Sequence, residues 1–154
     1  MLRRIRRIFD EIVEGAVPAQ PTPPTHGYRL ATATLLVEMI RADFEVHATE
    51  ERTVIEALQS AFELTPNETT ALFDEAHACA DEAISLHEFT TLINEHLDAA
   101  QKYHIIELLW QVAYADGAID KYEEHFVRKV ADLLYVRHRS FIRAKLSAEQ
   151  STAR

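Results

Sequence analysis

Apolar residues recur every three or four positions along most of this chain, which is the period that places them on one face of an α-helix. The pattern predicts an N-terminal helix over residues 2–13 and seven further helices after residue 27. Two helix starts are marked by a hydroxyl residue with a glutamate three positions later, Thr65 with Glu68 and Ser85 with Glu88. The predicted fold class is therefore all-α, a compact multi-helical domain.

Four of the five prolines lie within residues 16–26. Proline fixes φ and removes a backbone donor, so this stretch is predicted to be an extended linker. Residues 1–15 before it form a basic amphipathic helix in this interpretation, with arginines opposite the apolar face. Residues 27–148 after it form the helical domain.

The chain also resembles itself at an offset of 73 residues. Residues 35–62 laid over residues 108–135 give seven identities in 28 positions, where average composition would give about two. Each copy runs as a helix, an Ala-Asp pair, a short loop, a Glu-Glu pair and a second helix. The domain is therefore predicted to contain two related helical-hairpin repeats.

The loop of the second copy, Asp116 to Glu123, has the spacing of the second half of a calcium-binding EF-hand loop. The first copy, Asp43 to Glu50, follows it with Phe44 in place of glycine. Val112 and Tyr114 occupy the first and third ligand positions of the second copy, so the loop lacks half of its oxygen ligands. Calcium needs six to eight oxygens, and an EF-hand is not predicted.

These acidic residues have two interpretations. In the first, Glu123 caps its own helix, three residues after Asp120, and is favoured by the helix dipole. Capping does not account for Asp43 and Asp116. These residues follow helix C-termini, where a negative charge opposes the helix dipole. In the second, the carboxylates of both loops converge, and a divalent cation or a basic protein partner relieves their repulsion. The candidate metal ligands are Asp43, Glu50, Glu51, Asp116, Asp120, Glu123 and Glu124.

The charge distribution limits the classes of macromolecule that the chain is expected to bind. The net charge is −9, with four arginines among residues 1–7 and a remainder that holds 12 basic and 25 acidic residues. A body this acidic is expected to repel nucleic acid.

The sequence contains no motif for a disulfide, a zinc site, a phosphate-binding loop or a catalytic nucleophile. The single cysteine, Cys79, excludes an internal disulfide, and no zinc spacing, glycine-rich phosphate loop or nucleophile elbow occurs. We therefore expect no enzyme. Because no apolar run reaches the roughly 20 residues that cross a bilayer and no signal peptide is evident, we expect a cytoplasmic protein.

The stretch LLWQVAYADGAIDKYEEHFVRKVADLL, at 108–134, and its repeat partner at 35–62 resemble the tellurite-resistance protein B (TerB)-like family. The resemblance implies a compact helical domain of two related halves. It also implies a bacterial role in resistance to tellurite and in envelope or phage stress, with a metal-associated function. The first repeat departs from the family pattern at Phe44 and His47. By motif match, the family's acidic positions fall on Asp43, Glu50, Asp116 and Glu123, with Glu51 and Glu124 beside them.

Two functions follow as hypotheses. The first is a non-enzymatic TerB-like module that binds a divalent metal or a basic protein partner in a stress-related context. The alternative is a membrane-surface or partner-docking adaptor, in which residues 1–15 anchor to anionic headgroups and the prolines hold the body away. In a third interpretation, residues 1–15 pack on the body or stay frayed.

Overall fold

The computed structural model describes residues 25–42, 48–82, 85–115 and 121–152. The predicted N-terminal helix at 1–15 and the prolines of the linker lie outside the described residues. The described residues form seven helices and no strand, so the predicted all-α class is confirmed. The helices are α1 (Thr25–Ala42), α2 (Ala48–Phe62), α3 (Pro66–Glu82), α4 (Leu86–His96), α5 (Ala99–Ala113), α6 (Lys121–Leu133) and α7 (His138–Thr152).

Helices α1 and α5 form the centre of the domain. Every residue from Leu30 to Val37 in α1 is at most 1% exposed. In α5, the side chains of Ile105, Ile106, Leu109 and Trp110 are inaccessible to solvent. A helix that is apolar on most faces has to be surrounded by other elements, and α2, α3, α6 and α7 supply most of that cover.

Two threonines lie within the buried part of α1 without breaking its apolar character. The Thr32 hydroxyl donates to the carbonyl of Tyr28 at 2.8 Å, and the Thr34 hydroxyl donates to the carbonyl of Leu30 at 2.7 Å. Since each hydroxyl finds a partner inside its own helix, both side chains are buried at little cost.

The helix pairings show a regularity along the chain. The most extensive contacts join α1 to α3 and α5 to α7, while α1 also touches α6 and α2 touches α5. The starts of α1, α2 and α3 lie 74, 73 and 72 residues before those of α5, α6 and α7. These offsets follow the 73-residue register of the sequence, although the descent of the halves from one repeat stays a prediction.

Helices α2 and α6 end in the same way. Each is followed by a non-glycine residue with positive φ, Glu63 at 53° and Tyr135 at 59°. One residue later the backbone N–H bonds back across the turn, from Leu64 to the Gln59 carbonyl at 3.1 Å and from Val136 to that of Ala131 at 2.9 Å. These bonds satisfy carbonyls that the helix ends leave open.

The predicted helix starts are confirmed. Thr65 and Glu68 exchange backbone-to-side-chain bonds of 3.0 and 3.2 Å, and Ser85 accepts from the Glu88 N–H at 3.1 Å. A third capping pair, in which Asp98 and Gln101 exchange backbone-to-side-chain hydrogen bonds at a helix start, was not predicted. Helix α5 starts directly after Asp98, at Ala99.

Helix α1 begins at Thr25, two residues inside the predicted linker range of 16–26. After Pro24 the sequence contains no proline until Pro66, so every backbone N–H of this stretch is available for helix formation. Among the described helices, none is both long and apolar enough to cross a membrane.

The central helices should dominate stability. We expect Ile106→Ala to lower the free energy of unfolding by about 2–5 kcal/mol, because it removes buried methylenes and leaves a cavity beside α1. Leu146→Ala, at a side chain that is 51% exposed on α7, is the control and should cost less than about 1 kcal/mol. Urea denaturation measures both, and equal losses would contradict the central position of α5.

Candidate functional site

The predicted acidic site is described only in part. Asp43, Asp116 and Asp120 lie outside the described residues, and the side chain of Glu50 is not described either. Within the described ranges, no group of three or more His, Cys, Asp or Glu residues is arranged to hold a metal ion. The convergence of the two acidic loops therefore stays a prediction.

The described members of that set lie in the first turns of α2 and α6. Glu123 is 8% exposed, the only charged side chain among the buried residues described. Glu124 lies 3.7 Å from Arg128 and 3.8 Å from Lys145 of α7, measured from carboxylate oxygen to nitrogen. Glu124 thus bridges two helices, whereas Glu51 lies half-buried at the start of α2.

An open cleft of about 740 Å³ lies between α1, α2 and α5. Tyr28 and Thr32 contribute from α1, residues 53–62 from α2, and residues 104–115 from α5. Leu108 and Val112 are 6% and 8% exposed, so they form an apolar floor. Hydroxyl and amide groups surround this floor, from Thr32, Thr53, Ser60 and Gln111.

Two aromatic rings pack at one end of the cleft. Tyr28 and Phe62 meet edge to face, with ring centroids 5.4 Å apart and planes at 83°, a favourable arrangement for aromatic pairs. The Arg29 guanidinium carbon lies 5.7 Å from the centroid of the Phe62 ring. The aromatic end of the cleft therefore already accepts a guanidinium group on one of its rings.

The cleft is negatively charged. Its lining contains the carboxylates of Glu56 and Glu107 but, among the residues described, no lysine or arginine. His104 Nδ1 lies 3.8 Å from Glu107 Oε1, and this imidazole is a cation only when protonated. Burial raises the pKa of the Tyr28 phenol to about 12, and the Asp98 and Glu107 carboxylates add to the effect.

A second polar cluster joins α1 to α3. Arg41 donates from Nη1 to Asp81 Oδ1 at 2.8 Å, and its Nη2 lies 2.9 Å from His77 Nδ1. Burial raises the pKa of the nearby Glu38 carboxyl, an effect that Arg41 opposes and Asp81 reinforces. Because the guanidinium is engaged by both partners, this cluster ties two helices together and offers no open charge.

Sequence reasoning missed the cleft. Neither Glu56 nor Glu107 was among the predicted site residues, since both lie within helical stretches away from the repeated Ala-Asp and Glu-Glu motifs. One signal was available. Glu107 is the single charged residue in the apolar stretch 105–115, where a carboxylate is costly unless it faces solvent or a partner.

Comparison with known proteins gives one family. The family model described as "Tellurite resistance protein TerB" matches residues 29–146, about three quarters of the chain. This confirms the resemblance drawn from the repeated Ala-Asp motif. The matched range contains every residue of the cleft lining except Tyr28. No curated protein and no solved structure matches the chain.

The Tyr28 phenol predicts a pH effect. The fold raises this pKa from 10.0 to about 12, so it favours the protonated form. Its contribution to stability is complete below pH 10 and is lost as the pH rises from 10 to 12. We expect the wild type to lose free energy of unfolding relative to Tyr28→Phe across that window, as measured by urea denaturation. A constant difference between pH 9 and pH 12 would contradict it.

Proposed function

Since the chain belongs to the tellurite resistance protein TerB family, we propose that it is a non-enzymatic binding module for positively charged protein segments. The cleft between α1, α2 and α5 is the binding surface in this proposal. The observation that carries it is the lining, which combines two glutamates with an apolar floor and, in the described residues, no basic side chain. We further propose that this binding serves a bacterial stress response related to tellurite.

Arginine suits this cleft better than lysine. A guanidinium group pairs with carboxylates through two parallel hydrogen bonds and also stacks on aromatic rings. Glu56 and Glu107 offer the carboxylates, and Tyr28 offers an aromatic ring, since Arg29 already lies over Phe62. A segment that carries arginine beside apolar residues would use both the walls and the floor.

The dimensions of the cleft favour a short segment. Its wall on α2 runs from Thr53 to Phe62, about 14 Å at the helical rise of 1.5 Å per residue. This length matches two to three turns of a bound helix, or four residues of extended chain. Amphipathic helices commonly bind in grooves of this kind.

A divalent metal is the second candidate ligand, at the first turns of α2 and α6. The observation that favours it is the burial of Glu123, which is 8% exposed directly after the segment that holds Asp116 and Asp120. In this second proposal the ligands come from the acidic residues of the two repeats.

Binding of labelled nona-arginine tests the first proposal. We expect Glu56→Gln/Glu107→Gln to weaken binding by about 5- to 30-fold, since two charge pairs of about 0.5–1 kcal/mol each are lost. Fluorescence anisotropy measures the affinity, which should also fall as salt rises from 50 to 300 mM.

The matched control removes the same charge elsewhere. Asp74 and Glu95 are exposed on α3 and α4, away from the cleft. Asp74→Asn/Glu95→Gln should bind within twofold of the wild type. Equal weakening in both double variants would assign the binding to net charge alone, and no binding by the wild type would overturn the proposal.

A thermal-shift screen tests the metal. Calcium, magnesium, manganese or zinc should raise the Tm of the wild type by a few degrees, because a ligand that prefers the folded state stabilises it. Asp116→Asn/Glu123→Gln should lose the shift, whereas Asp74→Asn/Glu95→Gln should keep it. An unchanged Tm with all four ions would remove the metal candidate and leave the cleft proposal intact.

A further inference from the structure

We propose that the cleft has an intramolecular ligand, the chain's own arginine-rich segment at residues 1–15. This inference rests on the proposed function, because it takes the cleft as a site for cationic segments. Docking of residues 1–15 would close the site to a partner until that partner displaces them. Three observations carry it: where the segment joins the domain, what charge the cleft presents, and what apolar surface lies between the charges.

The segment joins the domain beside the cleft. Helix α1 begins at Thr25, and Tyr28, one turn later, is part of the cleft lining. Residues 16–24 separate the segment from α1, and an extended proline-rich stretch spans about 3 Å per residue. These residues reach roughly 28 Å at that rise, which exceeds the length of about 14 Å that α2 contributes to the cleft.

The charges are complementary. Residues 1–7 carry four arginines and no acidic residue, and the three acidic residues of the segment, at 10, 11 and 14, follow them. Residues 16–154 hold 12 basic and 22 acidic residues. The cleft lining adds two glutamates without a basic residue among those described. Glu56, in particular, has no salt-bridge partner in the described part of the chain. An arginine from the segment would supply one.

The apolar surfaces are complementary as well. The predicted helix over 2–13 carries Ile5, Ile8 and Phe9 on the face opposite its arginines. The floor of the cleft presents Leu108 and Val112. A helix laid along the cleft would place its apolar face on this floor and its arginines near the glutamate walls.

Tethering makes even a weak contact effective. A short linker holds its two ends at an effective concentration in the millimolar range. A segment whose intrinsic dissociation constant is near 100 μM would then occupy the cleft most of the time. The cleft would then be open in about one tenth of the molecules. A partner would therefore bind with an apparent affinity lowered by about tenfold.

The first experiment measures this competition in the full-length chain. Labelled nona-arginine is titrated into the wild type and into Arg3→Ser/Arg4→Ser/Arg6→Ser/Arg7→Ser. We expect the variant to bind at least tenfold more tightly, because its segment no longer competes. The gain should disappear when Glu56→Gln/Glu107→Gln is added. That loss separates competition for the cleft from the effect of removing four positive charges from the chain.

The outcomes separate the two proposals. Equal affinity of the wild type and the arginine variant would overturn self-docking and leave the proposed function standing. A gain that persists with Glu56→Gln/Glu107→Gln would also overturn self-docking, since it would come from net charge. Absence of binding by every variant would overturn the proposed function.

A second experiment reads the position of the segment directly. Cys79 is 1% exposed, so a nitroxide can be attached selectively to Asp10→Cys in the folded full-length chain. We expect the label to broaden the amide NMR signals of Glu56, Ser60 and Gln111, and Glu56→Gln/Glu107→Gln should reverse the broadening. Unbroadened signals at these three residues would overturn the docking, whatever the peptide titration shows.

Discussion

The domain depends on the burial of two helices, α1 and α5, that are apolar on almost every face. Neither can lie at a surface without exposing a large apolar area, so other helices have to surround both of them. α3 and α7 provide the most extensive cover, and α2 and α6 add contacts to both central helices. The cover of α5 by α2 is incomplete, and the gap is the cleft. Leu108 and Val112 therefore belong to the core and to the cleft floor at once, which fixes the position of the candidate site.

The same arrangement is the physical basis for our proposal that the cleft binds cations. Carboxylates beside an apolar floor are less well screened than carboxylates on an open surface, so a nearby positive charge is attracted more strongly. The raised pKa of Tyr28 reports the field of Asp98 and Glu107 together with burial. Other polar groups of the domain are used internally, as with Arg41 between His77 and Asp81, or Glu124 between Arg128 and Lys145. The charged groups that link helices are thus different from the two cleft glutamates to which we assign the binding of a partner.

Much of the fold was predictable because its signals are local. The helical period and the capping pairs at Thr65 and Ser85 are confirmed. The capping pair at Asp98 was missed, although its pattern is equally local, because the apolar period alone was used to start α5. The cleft was not predictable in the same way. Glu56 and Glu107 lie on different helices, and only the packing of α2 against α5 brings them to one site. The predicted acidic loops depend on Asp43, Asp116 and Asp120, which lie outside the described residues.

The central claim is that the cleft between α1, α2 and α5 binds cationic protein segments. A titration of the isotopically labelled chain with nona-arginine, followed by two-dimensional amide NMR, tests it residue by residue. The account predicts that the largest chemical-shift changes fall on residues 53–62 and 104–115 and saturate together at one dissociation constant. Changes confined to α3, α4 and α7, or spread evenly over all exposed acidic residues, would contradict it.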